Sequence, residues 1–119
     1  MVLVDTSVWV SHLQDDDEHL KKLLIDGEVI THPFVTGELA CGNLTNRKVI
    51  LALLQFLPQS KLASHPEVLQ LIETHALMGI GIGLIDVHLL ASARLSNAPL
   101  WTFDKKLKAA SSRLDICYR

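Results

Sequence analysis

Two short apolar runs each stop on an acid and pass straight into a helix-forming stretch. Val2, Leu3 and Val4 end at Asp5, and LWTF from Leu100 to Phe103 ends at Asp104 before KKLKAA. Short unbroken apolar runs read as buried strands. Both carboxylates therefore stand at the C-terminal ends of strands, where ligands collect in open parallel α/β sheets. Asp104 is also well suited to cap the helix that follows it.

The rest of the chain alternates in the same way. A short helix is expected to about Leu13, and DDDEHLKKLLIDG then reads as a second helix stopped by Gly27. EVITH reads as the second strand, and helices follow from Pro33 to Gly42 and from Asn46 to Phe56. LAS near Leu62 reads as a short strand, Ser64 to Glu67 as a capping box opening a helix to Met78, and DICY as an edge strand. With 119 residues and no repeat, linker or low-complexity tract, the chain is expected to form one domain, 1–119.

Two further acids lie in apolar surroundings. Glu38 sits among Phe34, Val35, Leu39, Ala40 and Cys41, and Asp86 opens the almost wholly apolar segment Ile85 to Leu95. Both helices are expected to be largely buried. A buried carboxylate is costly unless it is paired or metal-bound, and the basic residues cluster elsewhere in the sequence. Four converging carboxylates would repel one another by roughly 4 kcal/mol per pair at 4 Å and an effective dielectric of 20. Such a cluster needs a cation. All-carboxylate ligation with no thiolate or histidine pattern suits Mg²⁺ or Mn²⁺, and its natural reaction is metal-assisted phosphodiester hydrolysis.

Other features carry less. Gly79, Gly81 and Gly83 follow a helix and lack both GxGxxG spacing and a Walker lysine, so they read as a loop. Six histidines are scattered without HExxH or paired cysteines, which speaks against zinc. Trp9 and Trp101 read as core residues, and Cys41 and Cys117 as buried thiols. The start MVLVDTSV has no basic n-region or long apolar stretch, so neither a signal peptide nor a membrane span is expected, and a cytoplasmic location follows by default. Lys and Arg total 11 against 13 Asp and Glu, an unusual balance for a protein that grips phosphates. Setting the four candidate ligands aside leaves 9 acids, so the remaining surface is mildly basic. Arg47, Lys48, Arg94, Lys105, Lys106 and Lys108 are the candidate RNA contacts, with solvated helix faces as the alternative reading.

LVDTSVWV, GELACG, GIGLIDVHLLASA and APLWTFDKKL, in that order from Val2 to about Leu107, resemble the PIN domain, most closely the VapC toxins of bacterial and archaeal toxin–antitoxin pairs. The resemblance implies a three-layer α/β/α fold with a central, mainly parallel sheet, and a single-strand-specific endoribonuclease dependent on Mg²⁺ or Mn²⁺. Its metal ligands would be Asp5, Glu38, Asp86 and Asp104. Thr6, Ser7 and Thr102 would orient those acids or bound water. It also implies a VapB-like antitoxin that wraps the toxin and places a basic side chain in the acidic site, and a homodimer. The apolar stretch Ile50 to Pro58 is a candidate groove for either partner. This chain departs from the pattern at Gly37, where relatives often carry Ser or Thr, and at Phe103, where a polar or basic residue is common.

Rival readings are weaker. An aspartyl-nucleophile phosphatase needs a second Asp where Ser7 stands, and a receiver domain needs an acidic pair after the first strand. The non-enzymatic alternative is a catalytically inactive PIN-like scaffold that binds RNA or a protein partner.

Overall fold

The computed structural model describes residues 1–119. Its ten elements are β1 (Val2–Val4), α1 (Thr6–Asp15), α2 (Glu18–Ile25), β2 (Val29–Ile30), α3 (Pro33–Cys41), α4 (Arg47–Phe56), α5 (His65–His75), α6 (Leu84–Leu95), β3 (Leu100–Trp101) and α7 (Lys105–Arg113). The strands form one parallel sheet in the order β2-β1-β3. In register, Val2 and Leu3 pair with Val29 and Ile30, and Leu3 and Val4 pair with Leu100 and Trp101. The central strand is thus the first in the sequence, as its wholly apolar composition requires. Three parallel strands with seven helices give the expected three-layer α/β/α arrangement.

Helix starts follow the sequence chemistry. Asp5, Asp17, His32 and Asp104 cap α1, α2, α3 and α7 by accepting a first-turn N–H, and Ser64 with Glu67 forms the expected capping box of α5. Each such cap is worth about 1 kcal/mol. The core is one cluster of 22 buried apolar residues centred on β1, in which Leu3, Val4, Val8 and Leu100 are fully buried and Trp9 is 1% exposed. No helix is long and apolar enough to cross a membrane.

Several expectations are corrected. LAS at Leu62 is not a strand, because the backbone of Thr31 is met earlier. Thr31 N donates to Pro58 O and Thr31 O accepts from Ser60 N, giving a single bridge to Gln59. DICY shrinks to one bridge between Leu100 and Cys117. Cys41 is exposed and Cys117 half-buried, since one lies in the last turn of α3 and the other at the sheet edge. Within the stretch from Ile50 to Pro58, Leu54 is buried while Leu53 and Phe56 are exposed, so α4 has one face in the core and one in solvent.

Candidate active site

Asp5 is held where β1 turns into α1. Its Oδ2 accepts from the Ser7 hydroxyl at 2.7 Å, the Thr102 hydroxyl at 2.8 Å and, more weakly, Ser7 N at 3.4 Å. Each hydroxyl has one hydrogen, spent on Asp5, so each is an acceptor for something else. Ser7 Oγ takes Phe103 N at 3.0 Å, and Thr102 Oγ1 takes Asp104 N at 3.0 Å. The ends of β1 and β3 are thereby stitched together around one carboxylate that is only 6% exposed.

Asp104 spends Oδ1 on Leu107 N at 2.9 Å, capping α7. Asp86 accepts from Gly83 N through Oδ2 at 3.1 Å, at the first turn of α6. Its carboxyl titrates above the usual range, first because it is half-buried and then because the charges of Asp5 and Asp104 face it, against the opposing pull of the Gly83 N–H. Asp5, Asp86 and Asp104 therefore share one electrostatic site. Glu38 is not among the charges that act on Asp86. It is exposed, against the expectation of a buried helix, because only Val35 and Leu39 of α3 are fully buried. The Thr6 hydroxyl donates to its Oε1 at 2.8 Å and ties it to the residue next to Asp5.

One feature is common to the four acids. Each spends a single oxygen on the protein, Oδ2 of Asp5 and Asp86, Oδ1 of Asp104 and Oε1 of Glu38, and leaves the other without a hydrogen bond. None is in an ion pair; those in the chain involve Glu28, Asp16 and Glu18. No three His, Cys, Asp or Glu side chains close into a ready-made cage. Mutually repelling acids with spare oxygens fit a hard divalent cation, which takes oxygen ligands and keeps several waters.

The candidate RNA contacts divide. Lys105 and Lys106 directly follow Asp104, and the Lys106 side chain lies over Gly81, where an added Cβ would meet its Nζ at 2.8 Å. Arg47 is spent on the carbonyls that end α3, reaching Gly42 O at 3.1 Å and also Ala40 O. Arg94 lies two turns along α6 from Asp86 and meets His75 Nε2 at 2.8 Å. Lys48 is exposed on α4. Sequence reasoning missed the backbone groups of Gly83 and Phe103, although the three-residue spacing of Gly83 and Asp86 is that of a cap and its reciprocal acid.

The PIN domain family model matches residues 2–112. The protein called Ribonuclease VapC32 from Mycobacterium tuberculosis, in the CDC 1551 / Oshkosh strain and in the H37Rv strain, is 49% identical to this chain over 117 residues, 98% of this chain and 94% of the relative. A match of that extent, on a parallel α/β sheet with acids gathered at the ends of its strands, means that the chain belongs to the PIN domain family, among proteins of the VapC type.

Proposed function

We propose that residues 1–119 form a single PIN domain that works as a metal-dependent endoribonuclease, the toxin of a type II toxin–antitoxin pair. The observation that carries this reading is the site itself, in which the charges of Asp5 and Asp104 act on Asp86 and each of the three acids keeps one oxygen spare. The relative's name, a ribonuclease, supplies the substrate class.

Asp5, Asp86 and Asp104, with Glu38 at the rim, are the residues that would hold Mg²⁺ or Mn²⁺. When bound, the ion supplies charge neutralisation and water activation for phosphodiester hydrolysis. The chain's own part is positioning. Ser7 and Thr102 fix Asp5, Gly83 N fixes Asp86, Thr6 orients Glu38, and Lys105 and Lys106 meet backbone phosphates beside Asp104.

The partners proposed are an RNA substrate, a VapB-like antitoxin and a second copy of the chain, in the cytoplasm. Val49, Leu53 and Phe56 are spaced along the outer face of α4 and are 68%, 41% and 91% exposed. Such an apolar stripe favours cover by a protein. Phe56→Asp is expected to lower the mass of the free protein to that of a monomer or to release the antitoxin, and the outcome says which partner uses the stripe.

The experiment for the activity is cleavage of a mixed cellular RNA pool in Mg²⁺, Mn²⁺ or EDTA, with Asp5→Asn alongside. Asparagine keeps an oxygen for the cap and for both hydroxyls while removing the charge. Discrete metal-dependent fragments missing from the variant support the reading. Full activity of a folded Asp5→Asn variant, or RNA binding without cleavage under any metal, favours the inactive scaffold.

A further inference from the structure

Beside the acids, on the outer edge of β3, lies a hollow of about 220 Å³ whose walls include His19, Trp101, Phe103, Lys108 and Tyr118. The rings form one continuous surface drawn from α2, β3 and the C-terminal segment. His19 stacks on Tyr118 with centroids 5.7 Å apart and planes 24° from parallel, and its Nε2 lies 2.6 Å from the Tyr118 hydroxyl. Trp101 meets His19 at 5.2 Å, Tyr118 at 5.5 Å and Phe103 edge-on at 5.8 Å. The cluster is not simply core. Phe103 is 49% exposed, and its backbone N is fastened to Ser7 Oγ, the same atom that donates to Asp5, which fixes where its side chain leaves the main chain.

The hollow shares a residue with the acidic site, for Thr102 lines it and at the same time holds Asp5. Lys108, exposed on α7, adds a cation to its wall. An exposed flat ring braced by other rings, a cation at its side and a phosphodiester-cutting site one residue away is the combination that receives an unpaired nucleotide, whose base stacks while its phosphate meets the cation. We infer that this hollow is a nucleobase-stacking subsite, in which an unpaired RNA nucleotide adjoining the bond to be cut lies on the Phe103 ring with its phosphate against Lys108. The inference rests on the ribonuclease reading above. It gives a chemical role to the exposed aromatic residue that precedes Asp104, and it favours single strands because a base held in a duplex cannot reach the ring.

The test uses a mixed-sequence single-stranded ribo-oligonucleotide carrying 2-aminopurine, titrated in Mg²⁺ with an Asp5→Asn protein so that bound RNA stays intact. Stacking quenches the probe. Adding Phe103→Leu, which keeps apolar bulk without a flat ring, is expected to raise Kd roughly 5- to 150-fold, the worth of one stacked base, and to abolish the quenching. Phe103→Trp is expected to retain both. Lys108→Ala is expected to keep the quenching but lessen the salt dependence of Kd. Unchanged Kd and quenching in Phe103→Leu overturn the inference, and cleavage of the cellular RNA pool by the unmodified protein then leaves the ribonuclease reading standing. Absence of both binding and cleavage in the unmodified protein overturns the two together. Intact RNA binding by Phe103→Leu with loss of a co-purified antitoxin assigns the hollow to a protein and likewise overturns it.

Discussion

The Thr102 hydroxyl donates to Asp5 Oδ2 at 2.8 Å across 97 residues of chain, and the contact is buried. The same oxygen of Thr102 accepts Asp104 N. One hydroxyl therefore sets two of the acids in relation to each other, and it joins the central strand to its neighbour at the end where the site lies.

Thr102→Val keeps the shape and removes this bridge. Asp5 retains Ser7, but Asp104 N loses its acceptor. The expected loss is about 1–3 kcal/mol in urea unfolding, the cost of a buried polar group left without its partner. RNA cleavage should fall roughly 10- to 100-fold, as when a residue that orients a metal ligand is removed. Thr102→Ser should restore most of both. Unchanged cleavage in a folded Thr102→Val protein would show that Asp5 needs no second hydroxyl.

Asp86 gives a pH test. Its carboxyl is raised in the folded state by burial and by the charges of Asp5 and Asp104. The folded protein then holds the proton more tightly than the unfolded chain, so the stability it contributes is full at low pH and is lost as pH rises through the folded value. At pH 7, Asp86→Asn should unfold at equal or higher urea than the unmodified protein, and the difference should vanish on the acid side of the carboxylate range. Mg²⁺ should raise the melting temperature of the unmodified protein and do so far less in the variant. Cleavage by Asp86→Asn should drop by more than about 100-fold, beyond the effect of an orienting residue. A variant less stable than the unmodified protein at neutral pH would contradict the repulsion argument.

Much of this was legible in the sequence. Asp5 and Asp104 are marked by the apolar runs they end, and the capping box at Ser64 and the buried helix after Asp86 follow from spacing alone. The exposure of Glu38 was not legible. Its neighbours are apolar, but composition does not say which of them the rest of the chain covers, and only Val35 and Leu39 are fully buried. The strand expected at Leu62 failed for a related reason, since backbone partners decide a two-residue pairing and Thr31 meets Gln59 instead. The aromatic hollow joins His19, Trp101 and Tyr118 from distant parts of the chain, and no local pattern connects them.

Gly81 precedes the first turn of α6 with φ +84°, and Lys106 lies against it. An alanine there would meet Lys106 Cδ at 2.7 Å. The lysine is flexible and can swing aside, so the lasting cost of Gly81→Ala is the backbone conformation, roughly 1–2 kcal/mol. The swing also moves a cation next to Asp104. Gly81→Ala should therefore lower stability by that amount and raise KM for RNA, with Lys106→Ala raising KM while sparing stability. If Gly81→Ala matches the unmodified protein in urea, the loop does not hold this conformation in solution.

His32 reports on the end of β2. It is 2% exposed, caps α3 through Nδ1, which accepts Phe34 N at 2.9 Å, and keeps Nε2 buried without a partner. An acceptor at Nδ1 requires a neutral ring with its proton on Nε2. Burial, and secondarily His88 across the Phe34 ring, lowers its pKa from 6.5 to about 4. The unfolded chain thus takes up the proton first as the solution is acidified. Stability is full above the unfolded value of 6.5, falls as pH drops toward about 4 and then levels off. The total is ~3 kcal/mol for one such group. His32→Asn keeps a cap acceptor and cannot protonate. Urea unfolding between pH 7.5 and about 4.5 should show a steep acid loss in the unmodified protein and a flatter profile in the variant, apart from the contribution of His88, whose own pKa is lowered by burial and by His65. Parallel profiles for the two proteins would mean that His32 does not hold the start of α3 as a neutral ring.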